Sequence, residues 1–197
     1  MAVRREPCSG QVAISARRWH PVIIALHWLT LALVLAQFGL ARVMRDETRD
    51  LISRFQLYQW HKSIGLTVAA LIFVRLVSRL AFRAPPPVAM PAWQRLAAAS
   101  VQAGLYLCLI ALPLTGLLMV SAAPIQIQTL LFGWVAVPHP IGPDKAVYEA
   151  MLFLHEALFA TLAVLAAIHA GAALFHQFAL KDGLMRRIWF GRDQPLP

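Results

Sequence analysis

Residues 151–175 read MLFLHEALFATLAVLAAIHAGAALF, a run with one charged residue, Glu156, and two histidines, His155 and His169. The apolar segment around it, about 149–178, exceeds the ~20 residues that a helix needs to cross a bilayer. An imidazole in hydrocarbon is costly unless it binds something or lines a polar cavity, so each histidine marks a candidate site. Fourteen residues apart, the two lie about 21 Å from each other along a helix axis. At 100° per residue they differ by only about 40° around it, so both leave the same side. One helix therefore offers two stacked sites to its neighbours.

Working outward, three more segments have spanning length, at about 22–42, 57–80 and 95–121, and the first two carry His27 and His61. Pro85, Pro86, Pro87 and Pro91 break the chain between the second and third segments. Pro124, Pro138, Pro140, Gly142 and Pro143 break it between the third and fourth. The composition agrees: 59% of the 197 residues are hydrophobic and 14% charged, with a mean hydropathy of +0.63. That is an integral membrane protein with no second region polar enough for a soluble domain. The expected fold is all-α, a transmembrane four-helix bundle over 20–180 between tails at 1–19 and 181–197. Segments three and four are longer than needed, which predicts tilt or extension beyond the membrane. The first 19 residues hold four arginines but no apolar core or cleavage site of their own, so the first segment reads as a retained anchor.

A net charge of +9 and a pI near 10.8 raise nucleic acid as a partner. The basic residues instead collect at the ends of apolar runs, and no basic soluble module is visible, which excludes it. Arg4, Arg5, Arg17, Arg18, Arg75, Arg79, Arg83, Arg95, Lys181, Arg186, Arg187 and Arg192 fall on one side of the predicted spans. Arg42, Arg45, Arg49, Arg54, Lys62 and Lys145 fall on the other. The excess of basic residues on the first side predicts that both termini are cytoplasmic. The two cysteines, Cys8 in the tail and Cys108 in an apolar run, are too far apart in sequence to suggest a disulfide. No C-x-x-C-H occurs, so a haem would be held without thioether bonds.

Depth then pairs the histidines. His61 lies about four residues into segment two and His155 about six into segment four, both near the outer face. His27 lies five to seven residues from the inner face, and His169 about nine from it, so these agree within roughly 6 Å. The pairs are His61 with His155 and His27 with His169. A tetrahedral zinc site needs three or four protein ligands, whereas each level offers two imidazoles and few carboxylates. Haem supplies four equatorial nitrogens and asks the protein for two axial ligands. Arg75, fourteen residues after His61, shares its face at the depth of the inner pair, where a haem propionate would satisfy it. The alternative is that Arg75 and Arg79 snorkel to the inner headgroups. The small residues of segment four, with Gly65 and Gly116, make room for a flat macrocycle or equally for helix packing.

The remaining histidines have plainer readings. His139, between two prolines, is expected to be solvated. His20 and His176 each lie seven residues from an inner-pair member and form a conceivable shifted pair, but Pro21 favours a helix start just after His20. Trp19, Trp28, Trp60 and Trp189 read as an aromatic belt at the two interfaces. Glu156 either orients His155 or is an acidic residue near a helix start.

Several short stretches occur in a telling order: Ala-Leu-His-Trp-Leu at 25–29, His-Lys-Ser-Ile-Gly at 61–65, Arg-Leu-Val-Ser-Arg-Leu at 75–80 and Leu-Pro-Leu-Thr-Gly at 112–116. His-Glu follows at 155–156, Ile-His-Ala-Gly-Ala-Ala-Leu at 168–174 and Lys-Asp-Gly-Leu-Met-Arg-Arg at 181–187. Together they resemble the prokaryotic cytochrome b561 family, four-helix dihaem proteins of the bacterial inner membrane. The resemblance runs from about 20 to 190 and leaves out the first 16 residues and the loop at 122–148. It implies two b haems with His27, His61, His155 and His169 as axial ligands. Arg75, Lys62, Gly65 and Gly116 are the candidate cofactor contacts beside them. It also implies electron transfer to quinone, ubiquinone in one family role that oxidises superoxide at the outer face. The chain is then either a superoxide:ubiquinone oxidoreductase or an electron carrier, in contact with membrane lipid, quinone and a small anionic donor or periplasmic redox protein. A rival reading is a cytochrome b subunit that anchors a periplasmic dehydrogenase or hydrogenase. A haem-free transporter is disfavoured, because no broken-helix pair recurs in two halves.

Overall fold

The computed structural model describes residues 18–86 and 90–190. The tails at 1–17 and 191–197 lie outside the described residues, with Arg4, Arg5, Cys8, Arg17 and Arg192, and so do residues 87–89. Four long helices follow one another: α1 (Pro21–Val43), α2 (Leu51–Ala81), α3 (Ala92–Ala122) and α4 (Lys145–Phe175). All four are long and apolar enough to cross a membrane, and no more than 17% of the most apolar window of any of them is buried. Helices that apolar with so little self-burial present their outer faces to lipid, where every backbone polar group is satisfied within the helix.

The helix starts follow capping chemistry. α1 begins with Pro21 at its first position, and the His20 ring accepts the Val22 N–H at 3.3 Å. α2 begins six residues before the expected 57, because Asp50 accepts the Ser53 N–H at 2.9 Å. α4 begins four residues before the expected 149, where Asp144 accepts the Val147 N–H at 3.0 Å. These corrections move His61 and His155 deeper, and each is now ten residues past its helix start.

The helices run up-down-up-down. At one end, called here the terminal end, the Trp19 N–H bonds the Arg187 carbonyl at 3.1 Å and the Arg187 side chain reaches the Pro86 carbonyl. α4 opens there into a π-helical turn (His176–Leu180), followed by a short 3-10 helix (Leu184–Ile188). Lys181 and Gly183 turn the chain between them with positive φ. At the opposite end, the far end, Arg45 of the α1–α2 connection pairs with Glu156 of α4 at 2.6 Å. Glu156 is thereby turned to Arg45 at a half-exposed position, where an ion pair contributes little.

The loop at 122–148 holds an element that the sequence reading did not anticipate, an antiparallel hairpin of β1 (Thr129–Leu131) and β2 (Val135–Val137). Phe132 and Gly133 both take positive φ, and the Trp134 N–H closes the turn on the Leu131 carbonyl at 3.0 Å. Two left-handed residues in succession are what a type I′ turn requires. The hairpin is pinned to the outer wall of α2. Ser63 Oγ donates to the Leu130 carbonyl and accepts the Phe132 N–H, while Gln59 bonds Leu130 N–H and the Gln128 carbonyl. His139 departs from its solvated reading: it is half-buried and bonds Thr129 and Gln126, which fold over it within the same loop.

Candidate haem centres

All four intramembrane histidines face the space between the α1/α2 and α3/α4 pairs. The rings of His27 and His169 lie 6.3 Å apart between centres, with an interplanar angle of 67°. Those of His61 and His155 lie 6.4 Å apart at 69°. Two levels of the bundle thus repeat one geometry. Two imidazoles that hold a metal from opposite sides, at roughly 2 Å per bond, have ring centres about 6 Å apart. Among the described residues no three of His, Cys, Asp or Glu converge, so each level offers two imidazoles and no more. That donor set suits a metal whose other ligands arrive with it, as haem iron's do.

The far-end level is the more fully built. A cavity of about 580 Å3 gathers His61, His155, Lys62, Gly65, Gly116 and Phe38 on its wall. Its size is ordinary for a cofactor site. Gly116 is there for close approach, since a Cβ at that position would come within 3.2 Å of His155 Cε1. Gly65 stands against Gln37, whose Nε2 would lie 3.1 Å from an added Cβ and donates to the His61 carbonyl at 2.9 Å. His61 Nδ1 and Gln37 Oε1 are buried without a hydrogen bond. Lys62 is half-buried and makes no ion pair among the described residues, so its charge stands unneutralised by them on the cavity wall. An uncompensated cation beside two imidazoles suits a cofactor that carries carboxylates.

His155 is oriented by a residue to which the sequence reading gave no role. Thr115 Oγ1 lies 3.0 Å from the carbonyls of Ala111 and Leu112 and 3.0 Å from His155 Nδ1. A hydroxyl has one proton to give, and the carbonyls can only accept. Thr115 therefore accepts from His155 Nδ1–H, which puts the proton on Nδ1 and leaves the Nε2 lone pair available to a metal. The signal was present in the Leu-Pro-Leu-Thr-Gly stretch, but only packing of α3 on α4 brings Thr115 to a residue forty positions away.

At the terminal-end level, Arg75 reaches the pair through His27. Its Nη2 donates to His27 Nδ1 at 3.0 Å, and its guanidinium lies over the Tyr106 ring at 5.8 Å. Arg79, one turn on, lies over Trp19 at 5.2 Å and behaves as an interface residue. Gly171, about 200° around the helix from His169, is exposed with nothing within 4 Å of an added Cβ, so it lies on the outer face of α4 and not at the site. The alternative pair is otherwise engaged: His20 caps α1 and stacks on Phe82 at 3.7 Å, while His176 is bonded to Asp182. Tyr106, whose hydroxyl is buried without a hydrogen bond of ordinary geometry, and Gln37 are polar side chains inside apolar runs. Their position alone was a signal.

Comparison with known proteins agrees with this arrangement. The model of the prokaryotic cytochrome b561 family matches residues 18–191. The chain is 29% identical to cytochrome b561 homolog 1 of Escherichia coli (strain K12) over 175 residues, covering 87% of this chain and 96% of that protein. It is 30% identical to cytochrome b561 homolog 2 of the same strain over 176 residues, covering 87% and 90%. A protein of Yersinia pestis named probable superoxide oxidase CybB is 26% identical over 166 residues, covering 84% and 92%. Four spanning helices matched along nearly their whole length settle the class, and the chain belongs to the prokaryotic cytochrome b561 family of haem-binding, electron-transferring bacterial membrane proteins.

Proposed function

We propose that the protein binds two b haems, one between His27 and His169 and one between His61 and His155. It passes electrons from a donor at the far end of the bundle to membrane quinone. The observation that carries this reading is the repetition of one facing-imidazole geometry, 6.3 and 6.4 Å, at two levels of α4. Haem b held between these imidazoles would supply one-electron exchange. The excess of basic residues at the terminal end supports a cytoplasmic placement of both termini in the inner membrane, which makes the far end periplasmic.

The chain's own residues divide the work. His155 and His169 ride on one rigid helix, which fixes the separation of the two levels. Thr115 keeps the His155 proton on Nδ1, so that Nε2 faces the cavity. Lys62 offers its charge to a carboxylate at the far-end level. Arg75 has a double role. A guanidinium cannot accept, so it holds His27 Nδ1 without a proton. A histidine that ligates through Nε2 carries its proton on Nδ1, so a haem held by His27 would leave the Arg75 guanidinium to an anion such as a propionate.

Superoxide is the donor we favour, supported by the name of the Yersinia pestis relative and by the charge of the cavity wall. Arg45 is neutralised by Glu156, and Arg49 and Arg54 both face Asp46, but among the described residues Lys62 is not paired with a carboxylate. An uncompensated cation draws a small anion.

The test begins with haem per chain and a reduced-minus-oxidised spectrum on the purified protein. Two low-spin b haems are expected, with His61→Ala or His155→Ala removing one and His27→Ala or His169→Ala the other. Anaerobically reduced protein is then mixed with a short-chain ubiquinone. Reoxidation no faster than in a quinone-free control would reject the quinone claim. Haems that superoxide leaves oxidised and a partner dehydrogenase reduces would make the chain a membrane anchor instead.

A further inference from the structure

The terminal end holds a second concavity, about 510 Å3, where the start of α1 and the end of α2 meet the segment after the 3-10 helix. Trp19, His20, Phe82, Arg83, Trp189 and Phe190 line it. Its walls are tied to one another. His20 stacks on Phe82 at 7° between planes, Trp28 Nε1–H bonds the Ile188 carbonyl at 2.9 Å, and Trp28 meets Trp189 edge-on at 5.2 Å. Arg18 donates to the Trp189 carbonyl at 3.1 Å and holds that wall closed.

The charge of this concavity has no carboxylate counterpart among the described residues. Arg83 makes no hydrogen bond or ion pair among the described residues. Arg79 lays one face on Trp19, which leaves its in-plane N–H groups free to bond an anion at the edge of the ring. The single carboxylate on the described residues of this end, Asp182, is taken by His176. α1 starts at Pro21 and α2 ends at Ala81, so the concavity lies at the level where hydrocarbon gives way to headgroups. A planar guanidinium matches a phosphate bidentately, and an aromatic wall at that depth accommodates glycerol and the first methylenes of a chain. Basic pockets between spanning helices are where anionic headgroups are recognised.

We propose that this concavity is a binding site for a phosphate group at the membrane surface, gripped by Arg83 on its lining and reached by Arg79 from behind the Trp19 wall. The phosphate is that of an anionic phospholipid or free phosphate, and the two sources share the chemistry.

Native mass spectrometry of the detergent-purified full chain reads the site directly, with phosphatidylglycerol or phosphatidylcholine added. The expected result is selective retention of phosphatidylglycerol, lowered about tenfold in Arg83→Gln combined with Arg79→Gln. Arg95→Gln is the control, an exposed cation at the same end that neither lines the concavity nor lies over one of its aromatic walls, and it should leave retention unchanged. Circular dichroism should show the same helicity in all variants. Displacement of the lipid by millimolar inorganic phosphate assigns the site to free phosphate, and resistance to it assigns the site to the lipid. Equal retention of the two lipids with no binding of inorganic phosphate, or equal losses in Arg95→Gln and the double variant, would overturn the proposal.

Discussion

Thr115 has one hydroxyl proton, and the carbonyls of Ala111 and Leu112 take it, so His155 Nδ1 must supply the other half of its hydrogen bond. Thr115→Val keeps the volume and removes the acceptor. A buried N–H left without a partner costs about 1–3 kcal/mol, and His155 becomes free to turn. We expect Thr115→Val to lower occupancy of the His61/His155 haem while sparing the other, and Thr115→Ser to restore it. Haem per chain and the midpoint potential measure this, and unchanged values in Thr115→Val would remove Thr115 from the site. The four histidines were legible in the sequence because an imidazole in an apolar run is conspicuous and fourteen-residue spacing fixes a helix face. Arg75 was legible for the same reason. Thr115 was not, because a threonine in a spanning helix ordinarily bonds its own i−4 carbonyl, as this one does. Only the approach of α4 across Gly116 reveals its second bond.

At the scale of elements, what hydropathy sees and what the backbone does are different quantities. A hydropathy window marks hydrocarbon, whereas a helix starts where a side chain caps it, and Asp50 and Asp144 place those starts outside the apolar runs. Hydrogen bonds from Ser53 hold the Asp50 carboxyl below the usual carboxylate range. Its cap is therefore fully present above the ordinary carboxylate value and is lost as pH falls through the lowered one. Protection of the Ser53 amide, corrected for intrinsic exchange, should fall in that acid range, and constant protection would contradict the cap. The hairpin escaped the sequence reading because Phe132 takes a positive φ that non-glycine residues rarely adopt. What holds it is tertiary. Ser63, fully buried on α2, bonds both Leu130 and Phe132. Ser63→Ala leaves the Phe132 N–H unpaired, and the Leu130 carbonyl with the Gly133 N–H alone, at a cost of about 1–3 kcal/mol. Amide exchange across 129–137 should accelerate in the variant, while α3 and α4 exchange as before. Unchanged exchange in the hairpin would mean that Gln59 alone pins it.

Across the whole molecule the two levels differ in charge more than in geometry. Arg75 places a guanidinium directly against the His27/His169 pair, and no carboxylate among the described residues pairs with it. At the His61/His155 level Lys62 stands on the cavity wall, while Arg45 is spent on Glu156. A fixed positive charge favours the electron-rich state of a neighbouring redox centre, more strongly the more deeply it is buried. A unit charge about 7 Å away is worth on the order of 2 kcal/mol at an effective dielectric near 20. For one electron that is on the order of 100 mV. We therefore expect the terminal-end level to be the better electron acceptor, so that electrons entering at the far end would run downhill along α4 toward the end where the termini lie. Potentiometric titration of the purified protein should resolve two waves. Arg75→Leu should move the higher one down by tens of millivolts and leave the lower in place, and Lys62→Gln should move only the lower one. If Arg75→Leu shifts neither wave, the charge difference between the levels does not set the direction of flow. If it shifts the lower one, the levels have been assigned the wrong way round.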